Sequence, residues 1–193
     1  MGLMAKKEEK KYTYGDYLTW PDDERWEIID GSAYDMSPSP SRRHQEISMT
    51  LSTQFSLYLK DKPCKVYAAP FDVRLPAGSE KDEDIQTVVQ PDIVIVCESY
   101  KLDDRGCKGA PTMVIEIISP YTAGKDLKVK FNLYESAGVK EYWIVDPNNK
   151  TVIIYKLGED IKYGRPDVYT EEDSIKVGIF EDLAIDLKEV FTS

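Results

Sequence analysis

The chain has 193 residues, a formal charge of −10, and 41% hydrophobic against 31% charged residues. That length holds one sizeable core and falls short of two ordinary domains, and the composition excludes a disordered or low-complexity protein. No apolar run reaches the length of a membrane-spanning helix, and the acidic balance disfavours a phosphate-backbone partner unless the 25 Lys and Arg gather on one face.

Residues 1–11 read as a charged, frayed tail and 12–193 as a single domain. The N-terminal MGLMAKKEEKKY lacks the apolar stretch of a secretory signal, which points to a soluble cytoplasmic protein. Cys64, Cys97 and Cys107 are odd in number and without a C-x-x-C pair, so three reduced thiols are expected. One lone histidine cannot complete a zinc finger.

From Tyr12 the sequence predicts a short helix over Gly15–Trp20, then strands RWEIID and SAYDM joined through Asp30-Gly31, a hairpin signal. SPSPS breaks the chain. Ser41 is placed to cap a helix running to Lys60. With His44 at zero degrees, Ile47, Ser48, Leu51, Phe55 and Tyr58 fall within roughly 60° of it. His44 therefore belongs to the first turn of the buried face.

CKVYAA and FDVRL follow as strands, the second alternating with Phe71, Val73 and Leu75 on one side. PAGSEKDEDIQT reads as an acidic loop. Ile93–Cys97 and Met113–Ile118 are nearly continuous apolar runs, the pattern of strands buried on both faces. The intervening ESYKLDDRGCKGAP reads as a loop. A helix over 123–137 ends at Gly138, EYWIVD and TVIIYKL form a hairpin across Pro147-Asn148-Asn149, and the remainder supplies one or two strands and a terminal helical turn.

Two carboxylates stand out. Asp92 opens the first central run and Glu116 interrupts the second, 24 positions later, a separation that suits neighbouring strands and their connection. A carboxylate in an apolar strand costs several kcal/mol of desolvation unless it is paired or bound to a cation. A hard divalent ion such as Mg²⁺ relieves both that cost and the mutual repulsion, with the Ile117 backbone carbonyl as a third ligand. On the following helix, with Leu127 at zero degrees, Phe131 and Tyr134 lie within about 40° and form the core stripe. Lys130 sits about 60° away, nearer than Lys125 or Lys128, while Asp126 lies about 100° off.

These phrases resemble the PD-(D/E)XK nuclease superfamily, in particular its branch of small restriction-endonuclease-like proteins. The likeness rests on RWEIIDG, MSPSPSRRHQEI, DVRL, QPDIVIV, VIEIISP, then Asp126, Lys130 and Tyr134, then AGVKEYWIVDP, spanning about residues 25–157. It implies an α/β (α+β) fold with an αβββαβ core, a mixed central sheet flanked by helices, an N-terminal hairpin and extra C-terminal strands. It further implies Mg²⁺ or Mn²⁺ on Asp92 and Glu116, and hydrolysis of DNA phosphodiester bonds. The superfamily's usual strand lysine is here Ile118; Lys130 matches the helix position from which some members recruit it. His44 is a candidate for orienting a scissile phosphate or an acid. A homodimer is compatible with the resemblance, since a nuclease of this fold has two strands to meet.

Two other readings are compatible with the residues. The missing strand lysine and the acidic charge suit a nuclease fold that has lost catalysis and serves as a binding or regulatory module. An acidic surface also suits a metal-dependent hydrolase of a small phosphorylated substrate, although no glycine-rich phosphate loop is present.

Overall fold

The computed structural model describes residues 10–192 apart from 22, 37, 38, 120–123 and 125, and of 126 and 127 the backbone alone. Most of the expected tail and the first two residues of SPSPS thus fall outside the described residues. So do Ala123 and Lys125 of the expected helix, and the side chains of Asp126 and Leu127.

Local chemistry explains most boundaries. In α1 (Tyr14–Tyr17) the Thr13 side chain accepts from the Asp16 amide while the Asp16 carboxylate accepts from the Thr13 amide, a reciprocal cap. The helix is shorter than expected: it is capped at Leu18, and a turn carries the chain on to Trp20, where Pro21 bars further helix. β1 (Trp26–Ile29) and β2 (Ser32–Asp35) pair across Asp30 and Gly31, whose φ values of 50° and 79° suit a two-residue turn. α2 (Arg42–Tyr58) starts where the Ser41 hydroxyl accepts from the His44 amide at 3.2 Å, and Ile47, Leu51 and Phe55 form its buried stripe.

Seven strands follow: β3 (Lys65–Ala68), β4 (Val73–Arg74), β5 (Val88–Val89), β6 (Ile93–Val96), β7 (Leu102–Asp103), β8 (Gly106–Lys108) and β9 (Met113–Ile117). Residues 126–130 then form a π turn leading into α3 (Phe131–Ala137), which Gly138 ends at φ 86°. The predicted hairpin β10 (Glu141–Asp146) and β11 (Thr151–Lys156) is present. After it come β12 (Asp167–Thr170), β13 (Ser174–Lys176), β14 (Ala184–Asp186) and α4 (Leu187–Phe191).

The strands form two six-stranded sheets and a β13–β14 pair. In the first sheet, ordered β12-β11-β10-β9-β6-β3, β6 runs antiparallel to β3 and β9, while β10 runs parallel to β9. Hence α2, β3, β6, β9, α3 and β10 supply the αβββαβ order. Its two faces carry separate cores. Ile93, Ile95, Ile115, Ile117 and Trp143 meet α2 on one side; Val94, Val114, Tyr142 and Ile144 meet Tyr134 of α3 on the other. Each fully buried aliphatic side chain contributes about 1.5–3 kcal/mol.

The second sheet, β2-β1-β5-β4-β8-β7, departs from the sequence expectation. The hairpin is its edge, and the stretch expected as an irregular loop before Pro111 supplies β7 and β8. Arg74, on the outward side of the alternation in FDVRL, is fully buried instead. It pairs with Asp82 from the acidic loop and with Asp103 at 2.6 Å, and its guanidinium lies 5.4 Å from the Tyr14 ring centre. Desolvation pushes both carboxyls upward, yet both stay below the usual carboxylate range. Hydrogen bonds from Lys108 and Arg74 hold Asp82 there, and bonds from Arg74 and the Arg105 amide hold Asp103.

A depressed folded pKa means stability present at neutral pH and lost as pH falls through the lowered values, here below about pH 4. In thermal melts between pH 5 and 3, the Asp82→Asn, Asp103→Asn double variant should therefore lose less stability than wild type; a parallel loss would contradict the assignment.

The cysteine expectation is corrected. Cys64 and Cys97 form a disulfide, and only Cys107 is a free thiol. The β3–β6 register pairs Lys65 with Val96, and one step further sets Cys64 opposite Cys97, a relation that 33 positions of sequence separation conceal. Desolvation pushes the buried Cys107 thiol up to about 11, away from reactivity. Among the described residues no helix is long and apolar enough to cross a membrane.

Candidate active site

The β6–β9 register pairs Ile93 with Ile115 and Val94 with Val114. Extending that register by one step sets the Asp92 backbone across from that of Glu116. The ladder ends there, so the two acids occupy the sheet end rather than its middle.

Asp92 is held from two sides. Its Oδ2 accepts from the Ile117 amide at 2.7 Å, and its Oδ1 lies 3.1 Å from His44 Nε2 in the first turn of α2. A carboxylate only accepts, so Nε2 carries the proton. Among the described residues His44 Nδ1 is buried without a hydrogen-bond partner. The sequence thus brought His44 to the correct helix face, and the residue it meets is Asp92.

The Ile118 amide donates to the Val145 carbonyl of β10 at 2.9 Å, so the backbone groups of Ile117 point the opposite way, toward Asp92. The Ile117 carbonyl lies on the same strand side as its amide.

Glu116, 4% exposed, accepts from the Tyr134 hydroxyl at 2.6 Å and from Lys130 Nζ at 2.8 Å, both through Oε1. Lys130 is 3% exposed although its helix is irregular, because the π turn at 126–130 alters the regular 100° phase and still delivers the ammonium inward. Burial and the Glu116 carboxylate raise the Tyr134 hydroxyl well above its ordinary value, so it serves as a neutral donor. Lys128 is exposed.

Sequence reasoning overlooked Glu27, in β1 of the second sheet and 1% exposed. Its Oε1 accepts from Lys130 Nζ at 2.9 Å and from the Gln90 amide at 3.0 Å. The signal was available: W-E-I-I sets an acid in an apolar strand just as V-I-E-I-I does. Gln90 extends the network, accepting from Arg25 at 3.1 Å and donating to the Tyr17 hydroxyl at 2.9 Å and to Asp72 at 3.0 Å. Among the described residues no group of three or more His, Cys, Asp and Glu side chains is gathered as a metal cluster. Two carboxylates and a peptide carbonyl need no third such side chain.

A profile of the Uma2 family, described as "Putative restriction endonuclease", matches residues 14–188. Two proteins of Synechocystis sp. are similar in sequence. Slr1290 is 26% identical over 148 residues, covering 75% of this chain and 74% of that protein. Sll1609 is 24% identical over 149 residues, covering 75% and 80%. A crystal structure from Anabaena variabilis, titled as a "putative nuclease belonging to DUF820", aligns with a TM-score of 0.73 at 18% identity, covering 93% of this chain and 97% of that one. At that identity the likeness is one of fold, and the fold is restriction-endonuclease-like.

Proposed function

Because this chain belongs to the Uma2 family, described as "Putative restriction endonuclease", we propose that it is a divalent-metal-dependent endonuclease hydrolysing DNA phosphodiester bonds. The observation that carries this reading is the facing pair Asp92 and Glu116 at the end of β6 and β9, with the Lys130 ammonium 2.8 Å from Glu116. Its donor set fits a hard ion: two carboxylates and the Ile117 carbonyl match the oxygen preference of Mg²⁺ or Mn²⁺. Such an ion, when bound, lowers the pKa of its water and neutralises charge on phosphate.

The chain's own residues do the rest. His44 and the Ile117 amide hold Asp92 in one orientation, as outer partners of ligating carboxylates do. Tyr134 fixes one Glu116 oxygen. Lys130 places a positive charge beside the reacting phosphate, where charge accumulates in the transition state. Arg42, paired with Glu46 at 2.5 Å, and Arg43 directly precede His44, and Arg43 adds positive charge beside it that offsets locally the chain's overall −10. A cytoplasmic location and a homodimer that meets both DNA strands complete the reading.

The direct test is incubation of supercoiled plasmid and single-stranded DNA with Mg²⁺ or Mn²⁺. Nicking or cutting is expected, abolished by chelator; metal binding without cleavage would favour a binding module. Lys130→Met should lower cleavage by about 10²-fold without weakening Mn²⁺ binding, checked by calorimetry. Undiminished cleavage would remove Lys130 from the mechanism.

A further inference from the structure

We infer that Glu27 is a positioning residue, the second anchor that keeps Lys130 in the site when Glu116 turns to a cation. This rests on the metal reading above and deepens it. Lys130 Nζ lies 2.8 Å from Glu116 Oε1 and 2.9 Å from Glu27 Oε1, so one ammonium is shared between acids of two sheets. Both carboxylates and the ammonium are at least 95% buried by side-chain exposures of 5%, 1% and 4%.

The sharing has a direct electrostatic consequence. An ammonium and a divalent ion compete for the Glu116 carboxylate. Release of the ammonium from Glu116 breaks a short buried ion pair, a cost of several kcal/mol that opposes metal binding. Glu27 lowers that cost, because Lys130 keeps one short ion pair whichever partner Glu116 takes.

Glu27 is built to stay. Its Oε1 also accepts the Gln90 amide at 3.0 Å, and Gln90 is itself held through its side chain by Arg25, Tyr17 and Asp72. Gln90 precedes Pro91-Asp92 directly. The same three-residue stretch therefore fixes the anchor of the lysine and the first candidate metal ligand, which couples the lysine's position to that of Asp92.

The experiment is a double-mutant cycle read by calorimetric Mn²⁺ titration of wild type, Glu27→Gln, Lys130→Met and the double variant. Glu27→Gln keeps the side-chain shape and a carbonyl for the Gln90 amide but removes the charge. In the wild-type background it removes the ammonium's pair with Glu27 and strengthens its hold on Glu116, so Mn²⁺ affinity should fall at least tenfold further than in the Lys130→Met background, where no ammonium competes. A purely structural Glu27, or one acting on the ion by its charge alone, would lower affinity by the same factor in both backgrounds and overturn the inference. No Mn²⁺ binding by wild type would overturn the metal reading and this inference with it. Thermal melts accompany each titration. If Glu27→Gln fails to fold, Glu27→Asp, which keeps the charge but withdraws it by one methylene, replaces it under the same criterion.

Discussion

Glu116→Gln and Asp92→Asn are each expected to lower Mg²⁺-dependent cleavage by about 10³-fold, the scale on which loss of one preorganised charged group acts in a hydrolytic site. Neither change alters side-chain volume much, so the melting behaviour should report a folded protein. The two differ in what they leave behind. Glu116→Gln frees Lys130 from that carboxylate while Glu27 retains it at 2.9 Å. Asp92→Asn disturbs the contacts with His44 and the Ile117 amide instead. Cleavage within tenfold of wild type in either variant, measured on the same plasmid, would mean that the facing acids do not carry the reaction.

The largest effect on stability is expected at Arg74. Its side chain is fully buried, while its partners Asp82 and Asp103 keep side-chain exposures of 20% and 48%. Arg74→Met preserves packing against Tyr14 but takes the guanidinium from two acids, leaving Asp82 with Lys108 at 2.8 Å and Asp103 with the Arg105 amide at 2.8 Å, and both can rehydrate in part. The cost is therefore placed at the low end for a broken buried ion pair, about 3 kcal/mol. For a chain of this size that is a fall in Tm of about 6–12 °C by thermal melt. A change below about 2 °C would show that the second sheet does not depend on this pairing.

Arg74 also illustrates which parts of the molecule were legible in the sequence. Features set by neighbours in the chain were: the Asp30-Gly31 turn, the Ser41 cap, the Ile47, Leu51, Phe55 stripe and the Gly138 stop follow from local periodicity and backbone preference. The placement of Asp92 against Glu116 was approachable because both runs are apolar on either side. Features set by register between distant strands were not. The meeting of Cys64 with Cys97 depends on how β3 aligns with β6. Arg74 is covered by residues 8 and 29 positions away. Glu27 reaches Lys130 only because β1 belongs to a second sheet whose existence two-residue strands do not announce. The π turn before α3 belongs to the same class, since it changes helical phase without a distinctive residue.

This contrast bears on the site itself. The pair of acids that defines the proposed chemistry was visible as two interruptions in apolar strands, and a third interruption of the same kind, Glu27, was equally visible and was passed over. An acid in an apolar strand is costly wherever it occurs, and here Glu27, Asp92 and Glu116 lie in one connected network through Lys130 or through residues 90–92, while Glu141 of β10 is held separately by the Trp143 indole and the Ile179 amide.

The most direct test of the central claim is an anomalous difference map from a crystal of the wild-type protein soaked in Mn²⁺. The account requires a peak bonded by Asp92, Glu116 and the Ile117 carbonyl, with Lys130 retained by Glu27. Well-ordered acids with no peak between them, in a crystal that binds Mn²⁺ elsewhere, would contradict it.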